Sequence, residues 1–144
     1  MAGGKGTTFD NDLLKLIFNA VSIANIADNA ASAPLTNLYM SLHIADPGAG
    51  GTQATSEASY TGYTRQAVSR TATGFTVSGN SVTLTSSVVF PTATGGSETE
   101  TYAAVGTAVS GSGKLLYRGP VTPTLAVSSG VSPQLTTGTT ITES

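Results

Sequence analysis

Hydrophobic residues recur along this chain at two spacings, first helical and then alternating. Between residues 9 and 26 the apolar side chains fall three or four positions apart, as on an α-helix. Thr7 or Thr8 can cap this helix, and Asp10 and Asp12 in its first turn suit the positive end of the helix dipole. From residue 37 onward apolar and polar residues alternate, which is typical of half-buried strands. The pattern predicts an N-terminal helix followed by a β domain.

The clearest local signal is a hairpin between residues 75 and 84. Two alternating segments flank Gly79-Asn80, a pair that fits a two-residue type II′ turn. In that register the apolar residues of both strands share one face, as packing against a core requires. The expected pairs are Phe75 with Leu84 and Val77 with Val82.

Further short strands are predicted between clusters of Gly, Pro and Ser. Strands at this spacing favour a β-sandwich or barrel. We therefore predict a mainly β fold: a single antiparallel β-sandwich, jelly-roll or Ig-like in strand order, with an N-terminal α-helix. The expected strands are 38–43, 65–73, 88–90, 101–109, 114–118, 124–127 and 139–142, with Gly119-Pro120 separating two of them. The predicted organisation is a flexible arm (1–8), a helix and linker (9–36) and a β-sandwich domain (37–144).

The amino-acid composition predicts a surface with few charged residues. The six basic and eight acidic residues make up 10% of the chain, against about 25% in an average domain. Such a surface suits a protein that neighbours cover, because interface cores are depleted in charge. With a net charge of −2 and no basic cluster, we expect no nucleic-acid binding. The helical segment is too short and too polar to span a membrane.

Candidate chemistry is sparse. His43 is the only histidine, and strand alternation predicts that it lies on the outer face of its strand, in a structural role rather than in a Ser-His-acid triad. Glu98 and Glu100 would share a face if extended and could pair as acid and base, but the preceding residues 95–97 favour a solvated loop. No His, Cys, Asp and Glu have metal-ligand spacing. We predict no catalytic residue, cofactor or metal, and no enzymatic activity.

Two groups of side chains are predicted to make protein contacts. The helix is apolar on more than one side, so either its own β domain or a neighbouring chain must cover it. The second group surrounds a Thr-Gly turn, where Tyr and Arg are the residue types enriched at interfaces. The alternative is a turn whose rings lie over the sandwich edge. The candidate interface residues are Phe9, Leu13, Ile17, Phe18, Tyr60, Tyr63 and Arg65.

Five segments, in order, resemble those of a family of small tailed-phage virion structural proteins. The first two read LYMSLHIADPG, residues 38–48, and SYTGYTRQ, residues 59–66. The later segments are residues 79–82, 88–91 and 113–117. The resemblance covers roughly residues 9–142. The chain departs from it at Ile44, where Thr is common, and at residues 102–106, where the family often has a bulkier His/Phe-Gly-Ile stretch.

The resemblance implies a component of the phage particle, labelled in this family as capsid decoration, cement, tail fibre or minor tail protein. Our first hypothesis is a capsid decoration or cement protein that stabilises the assembled head by binding it. Its partners would be the major capsid protein or other virion proteins, and it would be a dimer or trimer. The alternative is a tail, baseplate or fibre component, although long repeats and heptads are absent. A second alternative is a carbohydrate-binding β-sandwich, which the lack of Trp disfavours.

Overall fold

The structure, a computed structural model, describes residues 7–23 and 34–143, without the side chains of Thr7 and Phe9. Most of the predicted arm, and the part of the predicted linker between residues 24 and 33, lie outside the described residues. The described elements are α1 (Thr7–Asn19), β1 (Asn37–His43), β2 (Gln66–Ser69), β3 (Phe75–Ser78), β4 (Ser81–Leu84), β5 (Val88–Val89), β6 (Ser97–Gly106), β7 (Leu115–Ser128), β8 (Gln134–Leu135) and β9 (Thr140–Thr142).

The mainly β fold with a helix near the N-terminus is confirmed. The strands form a four-stranded sheet of order β2-β1-β6-β7, a three-stranded sheet of order β3-β4-β9, and the pair β5-β8. The pairs β1–β6, β6–β7, β3–β4, β4–β9 and β5–β8 are antiparallel. No helix within the described ranges is long and apolar enough to cross a membrane.

The predicted break at Gly119-Pro120 is wrong, because β7 continues through it. Pro120 lies opposite Tyr102 of β6, and β7 has a partner on one side only. An edge strand tolerates proline, since its N–H positions on the open side are not needed for pairing. The register shifts between Glu100 and Tyr102, which accommodates the extra residues of β7. The two-residue strand β8 was not predicted.

Of the described residues, 7–23, 34–36, 69–87 and 136–143 form one compact unit. In this unit α1 packs against the sheet β3-β4-β9. The hairpin prediction is confirmed in register, with Phe75 opposite Leu84 and Val77 opposite Val82. Gly79 has φ +59°, as the first turn position of type II′ requires, and a side chain there would be strained.

Helix α1 covers the apolar face of this hairpin with one of its stripes. Leu14 and Phe18 are fully buried, and the Phe18 ring meets Phe75 edge-on with centroids 4.9 Å apart. Two side-chain amides on the same side of the helix form hydrogen bonds with β3 and the turn that follows it. Asn11 Nδ2 donates to the Gly79 carbonyl (2.8 Å), and Asn19 Nδ2 donates to the Phe75 carbonyl (3.0 Å). The helix therefore runs antiparallel to β3.

Arg70 caps the C-terminal end of α1. Its guanidinium donates to the carbonyls of Leu16 and Ile17 and, at 3.3 Å, to that of Leu35. The last carbonyls of a helix have no partners within it and carry negative partial charge, so a cation stabilises them. The last turn of α1 contains no basic residue of its own, and Arg70 supplies the charge from a distant position.

The other compact unit contains Asn37–Val68 and Val88–Leu135. It holds the four-stranded sheet and the pair β5–β8, around a core that includes Leu42, Phe90 and Val105. The prediction that His43 lies on an outer face is wrong, because its side chain is fully buried. Residues Met40 to His43 of β1 are all buried, so both faces of this strand are covered.

Candidate functional site

The segment that follows β1 folds back over the polar face of that strand, and we call residues 44–57 the strap. At its base Ile44 N donates to the Ser56 carbonyl, and just beyond it Ala58 N donates to the Leu42 carbonyl, both at 2.9 Å. Asp46, near the start of the strap, forms an exposed ion pair with Arg118 of β7, at 2.6 Å. The strap is the reason that His43 is buried.

Ser41 and His43 form a hydrogen-bonded pair beneath the strap. The Ser41 Oγ lies 2.9 Å from His43 Nε2, and His43 Nδ1 lies 2.9 Å from the Thr55 carbonyl. Since a carbonyl only accepts, Nδ1 carries the proton and Ser41 donates to Nε2. Burial lowers the pKa of His43, which favours this neutral ring.

This pair has the arrangement of a nucleophile and its base, with a carbonyl in the place of the acid. Ser41 and His43 are both fully buried, so a substrate has no path to the Ser41 hydroxyl. The bond from His43 Nδ1 to the Thr55 carbonyl holds the strap to β1. The geometry of Ser41 and His43 therefore supports a structural role.

Gln53 joins the strap to the loop between β6 and β7, residues 107–114, which we call the tip loop. Its buried amide donates to the Tyr39 carbonyl (3.3 Å) and accepts from Ala108 N (2.9 Å), while its backbone N donates to the Gly113 carbonyl (3.0 Å). A Cβ added to Gly106 would lie 2.1 Å from the Gln53 Cδ. Glycine at that position is what makes room for the Gln53 side chain.

Arg65, one of the predicted interface residues, is buried inside the chain and braces the tip loop. It forms a two-pronged ion pair with Glu57: Nε lies 2.6 Å from Oε1 and Nη2 lies 2.7 Å from Oε2. The same guanidinium donates to the carbonyls of Ala108 (2.9 Å) and Gly111 (2.6 Å). This fork matches the planar geometry of a carboxylate, so it fixes the strap and the tip loop together.

Tyr60 and Tyr63, also predicted interface residues, pack in the interior of the same unit. Their rings meet edge-on with centroids 5.4 Å apart, and Tyr63 stacks on Phe90 at 6.1 Å. The Tyr60 hydroxyl donates to the Pro91 carbonyl (3.0 Å), and the Tyr63 hydroxyl donates to Glu57 (2.9 Å). Burial raises the pKa of Tyr63, and it raises the pKa of Tyr60 to about 12, so both hydroxyls stay protonated.

The expectation that Glu98 and Glu100 lie in a solvated loop is wrong, because both are on β6. Glu98 accepts bonds from Ser59 N (2.8 Å), Ser59 Oγ (3.1 Å) and Tyr60 N (2.8 Å). Burial by itself would raise the pKa of Glu98, but these donors, with a bond from Glu100, outweigh it and lower the pKa. Glu98 therefore fastens the turn at residues 59–63 to β6 as an ionised carboxylate.

Glu100 is fully buried beside Glu98. Neither of its carboxyl oxygens receives a bond from a protein donor in the part of the chain that is described. Burial, and then the bond to Glu98 and the charge of Glu98, raise the pKa of Glu100 to about 8. A bond between two carboxyl groups needs a proton, so Glu100 is the protonated partner at neutral pH. With no exposed oxygen, it is closed to a substrate.

Five of the charged side chains that the structure describes are used within the chain. The internal ones are Glu57, Arg65, Arg70, Glu98 and Glu100. What faces solvent is largely hydroxyl, glycine and alanine, with single exposed apolar side chains such as Val109 at the tip loop. Within residues 7–23 and 34–143, no three His, Cys, Asp or Glu side chains are grouped to hold a metal ion.

The predicted interface residues on the helix have different positions. Phe18 faces the hairpin and is fully buried, whereas Leu13 and Ile17 lie on another stripe of α1 and are half-buried. The side chain of Phe9 lies outside the described residues. Sequence reasoning missed Gln53 and Glu57, because a lone polar residue in a Gly/Thr-rich segment has no pattern that marks it as buried.

A family model described as Podophage GP4 fiber I protein gp80 matches residues 7–143. That range contains every helix and strand described above. No curated protein matched the sequence.

Proposed function

Because this chain belongs to the family of Podophage GP4 fiber I protein gp80, we propose that it is a fibre component of the phage tail, held there by contacts with other virion proteins. The chain is a component of the phage particle, as the resemblance of its five segments predicted. The match over residues 7–143 is the observation that carries the proposal. The description names a fibre, so it favours the tail alternative over capsid decoration.

The surface supports a role in protein contacts. A side chain used in an internal ion pair or hydrogen bond is not available to a partner, and Glu57, Arg65 and Glu98 are used in this way. The remaining polar surface is mainly uncharged. Cores of protein interfaces are depleted in charged residues, so such a surface suits permanent neighbours in an assembled particle.

We place the contact on the second apolar stripe of α1. Leu14 and Phe18 are already covered by the hairpin, whereas Leu13 and Ile17, four residues apart on another stripe of α1, are only half-buried. Val21 follows just past the end of the helix. Val21 is 49% exposed. Residues four apart in a helix, such as Leu13 and Ile17, lie on one face, and an apolar helix face is a common recognition element. The neighbour is another virion protein or a second copy in a dimer or trimer.

Locating the chain on intact particles tests the fibre role. Particles labelled with an antibody against the purified chain are imaged, and the copies per particle are counted by quantitative mass spectrometry. We expect label on the tail and, since tail fibres follow a closed point group, a count on the order of a few to a few dozen. Label over the head with hundreds of copies would instead support capsid decoration. Particles lacking the gene are the control.

A charge placed on the stripe tests the contact face. We expect Leu13→Lys to fold normally but to be lost from particles, because an unpaired charge cannot be buried in an apolar contact. Thr8→Lys, an exposed position on the same helix, is the matched control and should be incorporated like the parent. Circular dichroism verifies the fold of both. Normal incorporation of Leu13→Lys would remove this face from the proposal.

A further inference from the structure

The two carboxyl groups on β6 have unequal surroundings. Glu98 accepts three hydrogen bonds from the turn at residues 59–63, whereas neither Glu100 oxygen accepts one from a described donor. Glu100 is also fully buried. An ionised carboxylate without donors, away from water and beside a second carboxylate, is strongly unfavourable. The arrangement is stable when Glu100 carries a proton that it donates to Glu98.

We propose that Glu98 and Glu100 bind one proton between them, and that this proton keeps the turn at residues 59–63 bound to β6 until it is lost at alkaline pH. We call this arrangement the lock. The lock holds because the single negative charge of the pair sits on Glu98, which the Ser59 and Tyr60 donors stabilise. Removal of the proton leaves a fully buried carboxylate at Glu100 beside the ionised Glu98. Their repulsion is relieved when the turn and β6 separate and admit water.

Among the residues that the structure describes, no cation interacts with Glu100. The titratable groups that interact with it are Glu98 on its own strand and Tyr60 on the turn. From the neighbouring strand β7, Leu125 lies opposite Glu100 and Val127 lies opposite Glu98, and both are apolar. Tyr60 keeps its proton throughout the physiological range, so it adds no positive charge. A proton is therefore the counter-charge that these groups require.

The direction of the pH effect follows from the two states of Glu100. The ordinary pKa of a glutamate carboxyl is 4.5, and burial beside Glu98 raises the pKa of Glu100 to about 8 in the folded chain. A group whose pKa is raised by folding stabilises the fold fully below its unfolded pKa. That stabilisation declines as pH rises above 4.5 and is lost once pH passes about 8. The lock is thus closed at neutral pH and opens under mildly alkaline conditions.

The test is a carboxyl-carbon NMR titration of the chain labelled at glutamate, between acid and alkaline pH. The chain has only four glutamates, Glu57, Glu98, Glu100 and Glu143, so each signal is assigned by one Glu→Gln substitution. We expect the Glu100 carboxyl to titrate near 8 while Glu98 remains ionised. If all four carboxyls ionise in the ordinary acidic range, the shared proton does not exist. This measurement needs no variant to be active.

Hydrogen exchange then tests the link to the turn. Above the Glu100 transition, we expect the Ser59 and Tyr60 amides to exchange faster than the roughly tenfold per pH unit that base catalysis gives alone. Glu100→Gln, which mimics the protonated group, should abolish this extra acceleration, and Glu143→Gln should keep it. Equal behaviour of the parent and Glu100→Gln would overturn the lock. So would a Glu100 signal that shifts with millimolar calcium and returns with chelator, since a cation would then occupy the pair.

Discussion

Each of the two compact units of this chain is stabilised internally by a different kind of interaction. The unit of α1 and β3-β4-β9 buries apolar side chains, with Phe18 against Phe75, and uses amide and guanidinium groups at its margins. The unit of the four-stranded sheet buries polar groups in its interior: Ser41, His43, Gln53, Arg65 and Glu100. These groups position two glycine-rich segments that would otherwise have little to order them. Few charged residues remain for the surface, because only 10% of the chain is charged and Arg65 and Glu100 are buried.

The largest expected effect comes from breaking the polar interior of the second unit. Arg65→Met leaves the half-buried Glu57 without its counter-charge and removes the donors for the Ala108 and Gly111 carbonyls. We expect the free energy of unfolding in urea to fall by about 3–5 kcal/mol. The double variant Glu57→Gln/Arg65→Met should recover part of this loss, because it removes the unpaired charge. A loss well under 1 kcal/mol for Arg65→Met would make the ion pair marginal to the fold.

An intermediate effect is expected where the strap meets the sheet. Gly106→Ala places a Cβ on the Gln53 side chain and forces it out of its bonds with Tyr39 and Ala108. Such crowding in a packed interior costs about 1–3 kcal/mol. Gly119→Ala is the control, since no atom lies within 4 Å of a Cβ there. The two variants are compared by urea denaturation, and equal stability would show that Gln53 is free to move.

A smaller effect is expected at the margin of the apolar unit. Asn19→Ala removes one part-buried bond to the Phe75 carbonyl and leaves the Phe18 contact unchanged. We expect a loss of about 1 kcal/mol in the free energy of unfolding, the usual worth of one such bond. Asn11→Ala, at an exposed bond, should cost less. A loss at Asn19 that equals the loss in Arg65→Met would erase the distinction between the two units.

The same contrast explains what the sequence could predict. The hairpin register followed from alternation and turn chemistry, because both are local and agree. The helix followed from its spacing and its acidic first turn. The burial of His43 and Glu100 could not be predicted, because it depends on how the strap and the turn at residues 59–63 fold over the sheet, and neither segment has a regular pattern of apolar residues. Strand alternation assigns a residue to a face, and only the tertiary fold decides whether that face is covered.

We expect this chain to join the phage particle through a largely uncharged part of its surface. The direct measurement is the affinity of the purified chain for particles that lack it, at low and high salt. Raising the salt from about 0.05 M to about 0.5 M screens interactions between exposed charges but not apolar contacts. We predict that the affinity stays within about threefold over that range. A loss of tenfold or more at high salt would contradict the account, because it would place charged groups at the contact.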